Sequence, residues 1–318
     1  MNRLLSSKYF QVAQRVWGTR LLFVNVYMIA NRPGSAKGWV LVDAGLKGSS
    51  KKIIAMAEAL FGPGTKPSAI ILTHGHADHA GGLQELLRYW DVPVYAHPLE
   101  LPYLTGRSSY PPTDPFVGGG LMSLTSVFFP VKPINIRRKI RVINVDEGIP
   151  ELPEWKIIET PGHSPGHISL FLPVNATIIA GDAVATTQTE SVFCELNYIK
   201  KLTGPPQYFT TDWTAAAASV RKIAKLNPKA LASGHGPAMR GRELQDAMTE
   251  LADTFESAAV PHHGRYVEHP AVANETGVTY VPPFISSIGF KAIIATASVL
   301  AGFLIMRQLQ KLSVVTTD

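Results

Sequence analysis

Cysteine is nearly absent from the 318-residue chain. Cys194 stands alone, so no internal disulfide, zinc ribbon, iron–sulfur cluster or CxxC redox pair can be built from it. Any metal must be held by histidine and carboxylate. A long block of one charge is also missing: 30 Lys and Arg are interspersed with 24 Asp and Glu, leaving a net +6. Without a basic arm interleaved with aromatics, no nucleic-acid partner is expected. The 26 Gly and 24 Pro follow no repeat, and 46% hydrophobic against 17% charged residues excludes a disordered chain or a fibrous rod. A globular body of one large or two ordinary domains is expected.

A secretory signal is not read near the start, because the apolar stretch 21–30 begins too far in, contains Asn25 and is followed by no small-residue cleavage pattern. A cytoplasmic or membrane-associated location is expected. Long apolar runs are rare, and the one that stands out is 285–306, interrupted by Lys291 and closed by Arg307 and Lys311. It is long enough to cross a bilayer, although a charge inside the span is costly. The tail 284–318 therefore reads as a hydrophobic C-terminal helix, serving as a membrane anchor or packing on protein.

Through the remaining chain, short Val- and Ile-rich runs alternate with helical patterns, the rhythm of an α/β domain. Strands are expected at 21–30, 39–42, 69–73 and 92–96, with helices at 52–61 and 82–90. The rhythm returns with strands at 140–145, 155–159, 167–172, 177–180 and 229–232, and helices at 213–226 and 243–258. Between the halves, 101–133 is rich in Pro, Gly and aromatics and too long for a simple connection. It reads as a packed insertion or as a lid over a substrate.

The segment Thr73-His74-Gly75-His76-Ala77-Asp78-His79 ends an apolar run with three histidines and a carboxylate. His74 and His76 are two apart and share a side if the strand geometry continues, while Gly75 permits close approach of the backbone. Asp78 and His79 follow as the chain bends into a helix and can face a second point, a spacing that suits two metal ions better than one. His163, Asp182 and His235 each lie just beyond a strand end beside a glycine, at Gly162, Gly181 and Gly234. In α/β sheets that edge is where loops assemble sites.

These residues resemble the metallo-β-lactamase fold superfamily, whose HxHxDH, then His, then Asp, then His is matched by His74, His76, Asp78, His79, His163, Asp182 and His235 over roughly residues 15–260. The resemblance implies an αββα four-layer sandwich with the metals at one edge of its two sheets, formed by a metallohydrolase domain at 1–283. It further implies one ion on His74, His76 and His163, the other on Asp78, His79 and His235, and Asp182 bridging them. The implied cofactors are two divalent ions, zinc first, with iron and manganese compatible because no thiolate is present. The implied activity is hydrolysis by a metal-bridging hydroxide, with Asp78 or a metal-bound water returning a proton to the leaving group. Asp43 matches a strand-end Asp behind the ligands, orienting a ligand histidine.

Departures from named branches narrow the substrate. Asp182 stands where thiolate-using zinc β-lactamases carry Cys, Ala185 stands where lactonases carry a substrate-holding Tyr, and no glutathione-contacting motif follows Asp182. The aromatic insertion suggests a small, partly apolar ester, lactone or thioester as substrate. The alternatives are a phosphodiesterase or nuclease-like hydrolase of the same fold, and a membrane-attached non-enzymatic protein with a vestigial site.

Overall fold

The computed structural model describes residues 9–32 and 38–284. The chain divides into two compact units, Met1–Pro282 and Pro283–Asp318, and the elements below belong to the first.

Short strands buried on both faces build two sheets. The first has seven strands in sequence order: β1 Phe10–Ala13, β2 Val16–Leu21, β3 Val24–Ala30, β4 Trp39–Val42, β5 Ala69–Ile71, β6 Val94–Ala96 and β7 Ile140–Val142. Its first four strands pair antiparallel, whereas β4 through β7 pair parallel. The second sheet contains β8 Lys156–Glu159, β9 Ile168–Leu172, β10 Thr177–Gly181, β11 Ala230–Ser233 and β12 Met239–Arg240, in spatial order β12-β11-β10-β9-β8. Within it, β10 and β11 are parallel. A separate hairpin joins β13 Val272–Asn274 to β14 Gly277–Tyr280.

Alternate residues of each strand serve different layers. Tyr27, Ile29, Val40, Val42 and Ile71 of the first sheet meet Ile157, Ile168, Leu170, Ile179 and Ala232 of the second in a shared apolar interior. Their neighbours Val26, Met28, Leu41 and Ile70 face outward onto Ile53 and Met56 of α1 (Ser50–Phe61), and onto Leu83 and Leu86 of the helix at Leu83–Tyr89. That helix is α3, because α2 is the short turn Ala77–Ala80 before it. On the far side, Ile178, Ala180 and Leu231 pack on Val220, Ile223, Leu244 and Met248. These last four belong to two of the following helices: α4 Leu101–Leu104, α5 Leu121–Thr125, α6 Val192–Asn197, α7 Trp213–Lys225, α8 Gly241–Asp253 and α9 Phe255–Ala258. Helix, sheet, sheet, helix is the layer order. Each fully buried Ile, Leu or Val contributes about 1.5–3 kcal/mol, so the three interfaces dominate stability.

Several boundaries differ from the sequence reading. The run 21–30 is not one strand: a tight turn at Leu22 and Phe23 separates β2 from β3, with Leu22 at φ 67° and exposed. No Gly, Asn or Pro marks this turn, so its apolar residues read as strand. The helix expected over 243–258 breaks at Thr254, whose hydroxyl bonds back to the Glu250 carbonyl. The Ser50 hydroxyl, at the first residue of α1, donates to Glu85. The expected hydrophobic C-terminal helix at 285–306 lies outside the described residues. Among the described residues no helix is long and apolar enough to cross a membrane.

Candidate metal centre

Parallel strands β4 and β5 of one sheet, and β10 and β11 of the other, end at the same edge of the sandwich. The residue just beyond each carries a polar side chain: Asp43 after β4, Asp182 after β10, and His74 and His235 a little beyond β5 and β11. His163 comes from the loop after β8, and α2 presents Asp78 and His79. Parallel strands aim these loops together, because their ends are fixed side by side.

The structure brings all seven ligand candidates into one cluster. His76 Nδ1 lies 3.0 Å from His74 Nε2 and 2.9 Å from His163 Nε2. Asp78 Oδ2 lies 3.4 Å from His235 Nε2 and 3.8 Å from His79 Nε2. Asp182 Oδ2 stands between the groups, 3.5 Å from His163 Nε2, 3.4 Å from His79 Nε2 and 3.2 Å from His235 Nε2. Three sets can hold an ion: His74 with His76 and His163, Asp78 with His79 and His235, and a connecting set of His74, His79 and Asp182.

Whether this cluster fits metal is tested by its unsatisfied atoms. His79 Nε2 and Asp182 Oδ1 are buried and have no hydrogen-bond partner, an arrangement that costs about 1–3 kcal/mol per group unless something else binds there. Nitrogens on a tetrahedral zinc at 2.0–2.1 Å stand roughly 3.3 Å apart, close to the separations seen here. A set of five imidazoles and two carboxylates of this size fits two divalent ions.

Electrostatics divide the cluster. Burial, reinforced by neighbouring histidines, pushes His74 well below its ordinary pKa, and burial lowers His76 to about 4 and His163 strongly. These rings are uncharged at neutral pH, the form that ligates metal. Burial also opposes charge on His79 and His235, but Asp182 and the other nearby carboxylates outweigh it and raise both. Burial works to raise Asp78 too, yet His79 and His235 hold its carboxyl down at about 2.

Behind the cluster lies a shell of orienting bonds. Asp43, at φ 62°, sits 2.8 Å through Oδ2 from His79 Nδ1. Its Oδ1 accepts from Thr73 N at 2.8 Å, and the Thr73 hydroxyl, 2.9 Å from Oδ2, contacts His74 Nδ1 at 3.1 Å. One carboxylate thus sets the orientation of two histidines. A non-glycine residue at positive φ costs about 1–2 kcal/mol and persists where its surroundings fix it. His235 Nδ1 meets the Phe23 carbonyl at 3.0 Å, and His163 Nδ1 meets Thr210 at 3.4 Å.

His167 accepts from the Asp182 backbone N–H at 2.9 Å and bonds Thr160 at 2.8 Å. Gly181, at φ 53°, leaves room for this, since a Cβ there would fall 2.7 Å from His167 Nε2. A Cβ on Gly234 would collide with the Asp182 carboxylate. His97 pairs with Glu159 away from the cluster, while His262, His263 and His269 are exposed. Sequence reasoning passed over Glu100. This buried carboxylate accepts from Gly75 N at 3.0 Å, Ser164 Oγ at 2.9 Å, Gly166 N at 2.8 Å and the Tyr110 hydroxyl. It ties the loop of His74 and His76 to that of His163. The Pro-Leu-Glu context at 98–100 carries no signal for such a role.

A cavity of about 740 Å³ opens from the cluster, with Gly75, Ala77 and Asp78 at its inner end and Phe23, Phe129 and Phe209 on its walls. Phe129 comes from the 101–133 insertion, so part of that segment lines the cavity. Phe209 stacks on His76 with ring centroids 4.4 Å apart.

Comparison with known proteins agrees with this geometry. The profile of the family described as the metallo-beta-lactamase superfamily matches residues 19–235. "Probable metallo-hydrolase YflN" of Bacillus subtilis (strain 168) is 44% identical over 248 residues, covering 78% of this chain and 94% of the relative. "Probable metallo-hydrolase YybB" of the same organism is 29% identical, covering 62% of this chain and 74% of that one. Among solved structures, BJP-1, a subclass B3 metallo-beta-lactamase of Bradyrhizobium japonicum, aligns with a TM-score of 0.53 at 19% identity, covering 78% of this chain and 92% of its own. Rm3 metallo-beta-lactamase aligns at 0.51 and 20% identity over 95% of each. At such identities the structural likeness speaks for the fold.

Proposed function

The chain belongs to the metallo-β-lactamase superfamily and is a metal-dependent hydrolase; from that premise we propose that it uses two ions to hydrolyse a small carboxylic ester, lactone or thioester. The observation that carries the dinuclear reading is Asp182 Oδ2, within 3.5 Å of nitrogens from both histidine groups. In this reading His74, His76 and His163 would hold one ion, Asp78, His79 and His235 the other, and Asp182 would serve both. Divalent ions, zinc first with iron or manganese suited to the same donors, supply a water deprotonated near neutral pH and a Lewis acid for the oxygen where charge develops.

The side chains do the rest. Asp43 and Thr73 keep the ring nitrogens of His79 and His74 aimed inward. Asp78, ionised and only partly buried at the cavity's inner end, is placed to carry a proton to the departing oxygen or sulfur. Phe23, Phe129 and Phe209 shield the acyl centre from water and favour a substrate with an apolar portion.

The test pairs elemental analysis with a panel of lactones, aryl esters, thioesters, β-lactams and phosphodiesters. About two metal ions per chain and turnover in the carboxylic-ester group are expected. Diester cleavage without ester turnover would overturn the substrate class, and less than one ion per chain after gentle purification would overturn the dinuclear site.

A further inference from the structure

The helical stripe that begins at Asp78 continues away from the cluster. Asp78, Gly81, Gln84 and Arg88 are three or four residues apart, the spacing of one helix face, and all four line the cavity. The backbone stays helical across the join of α2 and α3, with Gly81 at φ −61°, ψ −35° and Gly82 at φ −79°, ψ −10°. At about 1.5 Å per residue, Arg88 stands roughly 15 Å beyond Asp78. There the cavity meets a second groove of about 630 Å³, and the two share Gln84, Arg88 and Asn135.

The far groove is cationic. Arg137, Arg138 and Lys139 line it with Arg88. Lys139 is engaged by Asp91. Among the described residues, no carboxylate lies within ion-pair distance of Arg88, Arg137 or Arg138, and all three are exposed. The acidic group on the same helix face, Glu85, is occupied by the Ser50 hydroxyl at 2.6 Å and Gly48 N at 3.1 Å. Lys47 and Lys132 add charge to the rim of the first cavity. Guanidinium groups outside ion-pair distance of any described carboxylate, at the end of a channel with mixed aromatic and charged lining, suit forked binding of a phosphate.

We infer that the substrate is an acyl thioester or ester with a long arm ending in phosphate, its reacting carbonyl beside Asp78 and its phosphate between Arg88, Arg137 and Arg138. This rests on the ester-hydrolase reading and specifies its substrate. Cleavage adds one water across the acyl bond: a carbon–oxygen bond forms, the carbon–sulfur or carbon–oxygen bond breaks, the carboxylic acid leaves, and a proton passes to the departing thiol or alcohol. A stem of about 15 Å separates the two ends.

Binding tests the groove independently of the reaction. Calorimetry on the metal-loaded full chain compares pantetheine with its 4′-phosphate, which differ only at the distal end, and turnover compares their S-butyryl thioesters. The phosphorylated member is expected to bind at least tenfold more tightly, and Arg88→Gln with Arg138→Gln to abolish that preference while thermal stability and binding of the unphosphorylated member are unchanged. Equal affinities in the unmodified protein, or a preference that survives the arginine substitutions, would overturn the proposal. Tighter, arginine-dependent binding of a short single-stranded RNA would overturn it in favour of a nucleic-acid strand. If the phosphate preference holds but neither thioester is cleaved, the groove stands and the thioester reaction fails.

Discussion

Replacing Asp43 by Asn isolates how the candidate centre is oriented. Asn tolerates the left-handed backbone that Asp43 adopts at φ 62°, so the fold is expected to survive. Its oxygen must face Thr73, whose backbone N–H sits 2.8 Å from Oδ1. The amide nitrogen then lands where Oδ2 now contacts His79 Nδ1 at 2.8 Å. Two donors cannot share that contact, so His79 must move its proton to Nε2, the atom aimed toward Asp182 and Asp78 at 3.4 and 3.8 Å. A protonated Nε2 cannot ligate. Loss of an orienting partner typically weakens metal binding 10–100-fold, or about 1.4–2.7 kcal/mol. The Thr73 link to His74 is kept, so the loss should fall on the ion held by His79. Chelator competition with elemental analysis should show the variant keeping one ion under conditions where the unmodified protein keeps two. Asp43→Ala, which strands Thr73 as well, should lose more. If Asp43→Asn keeps both ions at unchanged affinity, the orienting argument is wrong.

Gly234→Ala should also deplete metal, because its Cβ collides with the Asp182 carboxylate and approaches the His79 ring at 2.7 Å; normal metal content would show that the strand end yields freely. Glu100→Gln sets an amide NH₂ against one backbone N–H, of Gly75 or Gly166, while the Tyr110 or Ser164 hydroxyl sharing that oxygen can turn to accept, so thermal denaturation should show a loss of about 1–3 kcal/mol for the one repelled donor, and an unchanged Tm would refute this. In the metal-free protein Asp182 and its neighbours keep His79 and His235 protonated above the usual histidine range. Metal loading at pH 7 should therefore release roughly two protons from these rings, with a further one where a metal-bound water ionises, and strengthen as pH rises, read by calorimetry in buffers of different ionisation enthalpy. Heats independent of buffer would contradict it.

The α/β rhythm was legible because continuous apolar runs such as Trp39-Val40-Leu41-Val42 mark strands buried on both faces, whereas the layer order followed only from the resemblance carried by the ligand motif. The candidate ligands were legible because each sits beside a strand end and a glycine. What stayed hidden is contact between residues far apart in the chain. Glu100 looks like any acidic residue after Pro98 and Leu99, and only the approach of loops 75 and 164–166 gives it four donors. The turn at Leu22 was invisible because a positive φ on leucine has no compositional signature. The cationic groove was equally hidden: Arg88 and Arg137 are ordinary surface residues until α3 and the segment before β7 are placed side by side.

The central claim is that two ions share one carboxylate. Crystals of the metal-loaded protein, measured for anomalous scattering at the absorption edge of the bound element, test it most directly. Two peaks are expected, one among His74, His76 and His163 and the other among Asp78, His79 and His235, both within about 2.0–2.2 Å of Asp182 oxygens. A single peak, or two peaks neither of which touches Asp182, would contradict it.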